Sequence, residues 1–353
     1  MAVTADEVLA AVDDRLRTWV EDVAGAWHGL GVTGDDLLAE LALPQLLAEA
    51  VEGGKRLRPE MVHWGWVAAG APADKYAQVV QLGAALELLH VFALVHDDVM
   101  DAAELRRGRP SVHARARDLH ATRGDAGDSR AFGEHIAILA GDLAHAEADH
   151  LVGYLPEPVR RVWRLMVVEL VLGQQRDLTG TALRRRDLEQ AREVSRLKSG
   201  AYTVQRPLQL GALIGGADHA LVEALMAFGW HAGEVFGLRD DALGIWGDPA
   251  RTGKSVDDDL EQGKATVALA LASQHLGDSG RELLVRVGQG QLAHAEVQEL
   301  RQELDRCGVR ERVETLIERG VDRAREALAS PLVPPAAVEG LTGALERLAW
   351  RQS

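Results

Sequence analysis

The stretch from Leu82 to Arg109 constrains this chain more than any other. A long apolar run that carries only Glu87 and His90 ends abruptly in His96-Asp97-Asp98-Val99-Met100-Asp101 and then Arg106-Arg107-Gly108-Arg109. If Leu82 to Asp101 is helical, Glu87, His90, Asp97 and Asp101 fall on or beside one stripe. Asp97 and Asp101 then stand one turn apart. Paired carboxylates at that spacing suit Mg2+, which takes few protein oxygens, keeps several waters and completes its shell from substrate phosphates. The arginines just beyond are placed to meet the same phosphates. Acid pairs one turn apart are ordinary on solvated helix faces. These follow about four turns of Leu, Val, Ala and Phe, where a charge is costly unless a cation compensates it.

A chain of 353 residues that is 47% hydrophobic can bury a large core, and no long Pro/Gly/Ser-rich linker interrupts it. One domain spanning 1–353 is the expectation. The run Leu82 to Val95 is too short for a bilayer span, and the N-terminus carries acids where a signal peptide has basic residues, so no transmembrane segment and a cytoplasmic location are expected. A single cysteine, Cys307, rules out an intrachain disulfide framework and a multi-cysteine zinc site. The net charge of -15 argues against nucleic acid and anionic bilayers as partners. Any phosphate ligand must find a local cationic pocket. Of 39 basic residues only five are lysine, and four of these, Lys55, Lys198, Lys254 and Lys264, fall in the candidate motifs. A compact ammonium is a good phosphate partner.

Ala5 to Trp27 shows helical spacing of its hydrophobics, and Asp35 to Ala50 reads as a Leu-rich second helix. Next comes Gly53-Gly54-Lys55-Arg56-Leu57-Arg58-Pro59. Two glycines free the backbone to curl near a ligand, and three cations follow at the start of a helix, whose open N–H groups favour an anion. Ala121 to Gly133 reads as a loop; Ala137 to Tyr154, Val159 to Gly173 and Asp187 to Gly200 read as helices, the last carrying Lys198-Ser199-Gly200. A second acid cluster, Phe236-Gly237-Leu238-Arg239-Asp240-Asp241-Ala242-Leu243-Gly244, closes another apolar segment. A turn-rich stretch with Lys254 and then Asp257-Asp258-Asp259 follows, and from Arg281 onward the pattern is scaffold. With no alternating strand pattern of useful length, no GxGxxG, no P-loop and no GxSxG, the fold class is all-α.

The set GGKRLRP at 53–59, DDVMD at 97–101, RRGRP at 106–110, KSG at 198–200, DDALG at 240–244 and GDPARTGK at 247–254 closely resembles the trans-isoprenyl diphosphate synthases, the polyprenyl synthetase family. The resemblance runs in order from about Gly53 to Thr266 and is most like a short-chain geranylgeranyl diphosphate synthase. It implies the isoprenoid synthase fold, helices around a deep central cavity, and head-to-tail condensation of isopentenyl diphosphate with an allylic diphosphate. It also implies three Mg2+ ions, two held by Asp97 and Asp101 and one by Asp240, bridging the allylic diphosphate. Arg106, Lys198 and Lys254 would join them there. Lys55, Arg58, His90 and Arg107 would bind isopentenyl diphosphate, and Ser199, Asp98 and Asp241 would lie near the reaction centre. A homodimer is implied by the family habit. Phe92, five positions before the first aspartate, would stop growth at the C20 product, with C15 farnesyl as second choice.

Three positions depart from the family pattern. Gly244 replaces an aspartate, Gly237 stands where a glutamine usually follows phenylalanine, and Ser199 replaces threonine. The first two keep open a non-catalytic accessory subunit of a prenyl synthase. A class I terpene cyclase also ionises a prenyl diphosphate with an aspartate-rich motif and Mg2+. Its second motif normally carries asparagine, however, and this chain contains none.

Overall fold

The computed structural model describes residues 3–30, 40–248, 260, 262–289 and 292–352. They divide into two compact units, one of residues 1–63 and 71–160, the other of 64–70 and 161–353. The elements are, in order, α1 (Ala5–Gly29), α2 (Leu43–Val51), α3 (Leu57–Ala68), α4 (Tyr76–Met100), β1 (Leu105–Arg106), β2 (Arg109–Pro110), α5 (Val112–Arg123), α6 (Ser129–Gly153) and α7 (Glu157–Ala182). After them come α8 (Leu188–Ser195), a π-helix (Arg196–Gln205), α9 (Arg206–Gly215), α10 (His219–Trp246), α11 (Val267–His275), α12 (Asp278–Arg286), α13 (His294–Arg306), α14 (Val309–Leu328) and α15 (Pro335–Trp350).

In the first unit α4 is apolar on every side, from Val79 through Leu82, Leu86, Leu88 and Leu89 to Val91, which makes it a core helix rather than an amphipathic one. Helix α1 lays Val8, Val12, Leu16 and Trp19 on it. Gly83 lets the two come close, since a Cβ there would stand 2.7 Å from Val12. Helix α6 presents a stripe of small buried residues, Ala137, Ala140, Gly141, Ala144 and Ala148, to α4. By length and composition α4 with the turn before it, residues 73–100, is enough to cross a bilayer, which the count from Leu82 to Val95 understated; 61% of its most apolar window is buried inside the fold.

In the second unit α10 plays the same part. Gly229, Gly233 and Gly237 recur every fourth residue along it, on the stripe that meets the α8/π-helix segment. A Cβ on any of them would lie within 3 Å of that segment, at Gln205, Gly200 and Ser195 in turn. Helix α14 packs on α10 as well, with Gly320 against Val235.

Several boundaries differ from the sequence expectation. The loop expected over Ala121–Gly133 shrinks to 124–128. Gly124, at φ 70, ends α5 in the left-handed conformation, and the Asp128 carboxylate caps α6 by accepting from the Arg130 and Ala131 amides at 2.8 and 3.3 Å. Helix α2 begins at Leu43, and 31–39 lie outside the described residues. Helix α7 runs nine residues past the expected Gly173. The expected helix ending at Gly200 passes into a π-turn at Arg196. Among the described residues the strand content is a two-residue antiparallel ladder, β1 with β2, too short to alternate visibly.

His63, on α3, is 1% exposed, and burial pushes its pKa down to about 4. Below pH 6.5 the unfolded chain takes up a proton that the folded chain refuses. The contribution is therefore complete above 6.5 and is lost as pH falls towards 4, by up to about 3 kcal/mol. Urea unfolding at steps between pH 7.5 and 4.5 should show this slope, and His63→Gln should flatten it; an unchanged slope in the variant would assign it to other groups.

Candidate active site

In the first unit, the open end of α4 and two tight turns assemble one cluster. Helix α4 closes with the Asp101 amide on the Asp97 carbonyl at 2.8 Å and the Ala103 amide on the Asp98 carbonyl at 2.8 Å. The chain then makes a two-residue hairpin. Arg106 pairs with Arg109 across it, and Arg107 and Gly108 at its tip have φ 53 and 74, as a type I′ turn requires. The hairpin sends its two arginines to different partners.

Arg106 turns to Asp98, with Nε 2.9 and 3.1 Å from the two carboxylate oxygens and Nη2 on one of them as well. Its Nη2 stands 3.9 Å from Asp97. Burial alone would weaken this cation, but the bonds and charge of Asp98, then Asp97 and Asp101, hold its pKa above the ordinary value. Asp98 is 3% exposed and fixes the guanidinium; Asp97, with 18% of its side chain exposed, opens to the surface beside it.

Arg107 donates to the Glu52 carbonyl at 2.8 Å, and its guanidinium crosses Gly54. Gly54 has φ 94, and a Cβ there would lie 3.0 Å from Arg107 Nη2, so both the backbone angle and the space call for glycine. The glycine turn and the arginine turn, fifty residues apart in sequence, thus form one surface. Arg58 is buried beneath it and Lys55 is exposed. His90 faces this cluster. Burial first, then the charges of Arg58, Arg107, Arg106 and Arg56, push its pKa well below the usual imidazole value, so it is neutral at pH 7. Four of the residues picked from sequence, Arg58, His90, Arg106 and Arg107, are therefore one electrostatic cluster.

Arg56 belongs to the frame of this site, where sequence reasoning counted it only among the cations of a basic run. At φ 50 it reaches Asp13 at 2.7 Å, Glu87 at 2.7 Å and the Val51 carbonyl at 2.7 Å, tying the glycine turn to α1, α4 and α2. The signal was present: Glu87 is a lone acid inside the apolar run, and a buried carboxylate needs a cation. Phe92 packs between two imidazoles, stacked on His145 at 4.6 Å and 19° and edge-on to His96 at 4.8 Å.

The second unit holds the other candidates. Lys198 sits in the π-helix, and its Nζ donates to Asp177 Oδ2 at 2.7 Å. Asp177, buried on α7, is a second residue that sequence reasoning left without a role, although Gln174-Gln175-Arg176-Asp177 follows an apolar run as DDVMD does. Gly173 lets α7 approach, since a Cβ there would stand 2.6 Å from the Lys198 amide nitrogen. Ser199 follows, half-buried, in a π-turn of the kind that recurs at functional sites. On α10, Asp240 is exposed and Asp241 half-buried, while Arg239 turns away to Glu314 at 2.9 and 2.7 Å and to the Ala349 carbonyl at 2.6 Å. Lys254 and Asp257 to Asp259 lie outside the described residues.

Among the described residues, no group of three or more His, Cys, Asp or Glu side chains forms a ready-made metal cage. Asp97 with Asp101, at the end of α4, and Asp240 with Asp241, in the last third of α10, are pairs of hard oxygen donors. That is a fit for Mg2+, which leaves the rest of its shell to water and phosphate, and a poor fit for zinc or calcium held by protein alone.

A model of the family described as polyprenyl synthetase matches residues 41–304. A geranylfarnesyl diphosphate synthase of Aeropyrum pernix is 32% identical over 246 residues, covering 67% of this chain and 71% of that protein. A (2E,6E)-farnesyl diphosphate synthase of Mycobacterium bovis is 35% identical over 239 residues, 65% of this chain and 60% of its own length, so the chain spans less than two thirds of that relative. Among solved structures, geranylgeranyl pyrophosphate synthase from Corynebacterium glutamicum, complexed with isoprenyl diphosphate and magnesium, superposes with a TM-score of 0.90 at 30% identity. The match covers 99% of this chain and 100% of that one.

Proposed function

The chain belongs to the polyprenyl synthetase family, the metal-dependent trans-prenyltransferases, and we propose that it joins isopentenyl diphosphate to an allylic diphosphate and releases the C20 geranylgeranyl product. One observation carries the substrate reading. Arg58, Arg106 and Arg107 gather their charges about His90 as a largely buried cationic cluster in a chain of net charge -15. With Lys55 at its rim it offers the donors that a diphosphate requires, and a neutral imidazole adds a hydrogen bond without competing for charge. Because this set goes beyond the needs of a single prenyl diphosphate, it favours the synthase over the cyclase.

In this reading Asp97 and Asp101 hold two Mg2+ ions and Asp240 a third, while Arg106, Lys198 and Lys254 bind the allylic diphosphate. Bound there, the ions neutralise the charge that develops on the departing diphosphate. Asp98 aims Arg106 and Asp177 aims Lys198, so that neither cation has to find its position during the reaction. Ser199, with Asp98 and Asp241, lies near the developing allylic cation. Arg58, Arg107, Lys55 and His90 hold isopentenyl diphosphate while its double bond attacks that cation. The proton then lost passes to the released diphosphate, so no protein base is needed.

One catalytic domain is supported by the family match, which takes in residues of both units. A homodimer is supported by α7, where Leu165, Val168, Val171 and Leu172 form an exposed apolar stripe. The cytoplasm is the proposed location. The C20 product rests on Phe92, whose ring is walled in by His96 and His145.

The test incubates purified protein with isopentenyl diphosphate and, separately, dimethylallyl, geranyl and farnesyl diphosphates, with and without Mg2+, and identifies dephosphorylated products by mass. A Mg2+-dependent C20 alcohol is expected, and Phe92→Ala should extend the products by one or more five-carbon units. Products from Phe92→Ala no longer than the parent's would sink the chain-length assignment. No elongation from any starter would favour the accessory subunit, and a cyclic hydrocarbon made without isopentenyl diphosphate the cyclase.

A further inference from the structure

Asp240 on α10 is bonded by a residue that follows α15, more than a hundred positions later. Helix α15 ends at Trp350, and Arg351 continues in extended backbone at φ -60, ψ 150. Its guanidinium lies back over the Phe236 ring, 4.3 Å from the centroid, and Nη2 donates to Asp240 Oδ1 at 2.8 Å. One residue earlier on α10, Arg239 donates to the Ala349 carbonyl at 2.6 Å. Two consecutive residues of the acidic motif are thus held by two residues near the end of the chain, Ala349 and Arg351.

The exposures of the pair are unequal, 12% for the Arg351 side chain and 58% for that of Asp240. The cation is the anchored member and the carboxylate the presented one. Arg351 Nε is buried with no acceptor. A buried donor without a partner is costly, so a guanidinium recruited only to tie down the chain end would be expected to satisfy it. Here the ring face, the bond to Asp240 and a longer bond from the same Nη2 to the Phe236 carbonyl at 3.5 Å fix the geometry instead.

We propose that Arg351 is a positioning residue for the cation site on α10: it holds Asp240 by Oδ1 so that the other oxygen faces outward for a divalent ion. This rests on the reading of Asp240 as a cation ligand. Carboxylates that bind metals are commonly oriented by a hydrogen bond to their second oxygen, and losing such a partner costs about 10–100-fold in metal affinity. An exposed aspartate left to rotate must instead be ordered by the ion itself.

The test measures Mn2+ binding in the presence of inorganic diphosphate, by electron paramagnetic resonance of free Mn2+, without turnover. Arg351→Gln should weaken it about 10-fold. Arg351→Lys should fall between, since one donor suffices for the bond to Asp240, and Arg351→Gln added to Asp240→Asn should change nothing further. Equal or tighter binding by Arg351→Gln overturns the proposal, the tighter result meaning that Arg351 competes with the ion. Unchanged binding by Asp240→Asn would remove the premise, and is told apart because it leaves the single Asp240 variant at the parent's affinity. Hydrogen exchange of 342–352 in the unaltered protein serves should Arg351→Gln not fold. Protection that holds or rises with Mn2+ and diphosphate is expected, whereas faster exchange, showing that the segment leaves, overturns the assignment.

Discussion

Asp97→Asn is expected to lower kcat by about 10³-fold or more while leaving the protein folded. The side chain opens at the end of α4 with Arg106 Nη2 3.9 Å away, so the amide keeps the volume and loses the charge that a hard cation needs. Metal assistance contributes several kcal/mol to transition-state charge, and each ~1.4 kcal/mol is tenfold in rate. Asp98→Asn, one residue on, should behave differently. Its carboxylate is 3% exposed and takes both Nε and Nη2 of Arg106, so the variant leaves a mostly buried guanidinium poorly matched and should cost about 3 kcal/mol of stability. Steady-state kinetics with a Mg2+ titration, paired with thermal unfolding, separates the two. If Asp98→Asn stayed fully stable and lost the activity while Asp97→Asn kept it, the roles of the neighbouring acids would have to be exchanged.

That contrast marks what the sequence could and could not disclose. The apolar run ending in DDVMD fixed a buried helix with acids at its mouth, because burial and helical periodicity are written in residue type. Helical spacing put Asp97 and Asp101 on one stripe and, by the same rule, set Asp98 off it; it could not say that Asp98 would face a guanidinium eight residues later. The meeting of Gly54 with Arg107 depends on two turns with positive φ whose relation is tertiary. Arg56 looked like one more ligand-binding cation in a basic run. Its use as a clamp is set by Asp13 and Glu87, which no local pattern links to it. Loop boundaries failed for a plainer reason. Asp128 and Gly124 are ordinary loop residues by composition, and only their positions at the helix ends make them caps.

Gly237 is where a departure from the family pattern acquires a physical reason. A Cβ there would stand 2.1 Å from Ser195 Oγ, 3.2 Å from the Ser195 carbonyl oxygen and 3.4 Å from its Cβ. The hydroxyl can rotate away, but the carbonyl belongs to the turn that passes into the π-helix and has little room to yield. Alanine in a helix interior gains about 1 kcal/mol over glycine, whereas forcing a methyl into a packed crossing costs about 1–3 kcal/mol. Gly237→Ala should therefore be destabilising, and Gly237→Gln, with four more heavy atoms beyond that Cβ, by about 3 kcal/mol or more. The strain falls on Ser195, three residues before Lys198, so activity should drop with stability, and Ser195→Gly should recover part of both in the Gly237→Ala background, a coupling that distant sites do not show. Thermal unfolding and turnover of the four proteins in this cycle measure it. The result also bears on the accessory-subunit reading. If Gly237 completes a glycine groove that holds the Lys198 turn in place, its presence reflects packing and not decay of a catalytic site. A Gly237→Gln protein that became both more stable and more active would reverse that conclusion, since the glutamine would then be filling a space the chain had lost the side chain to occupy.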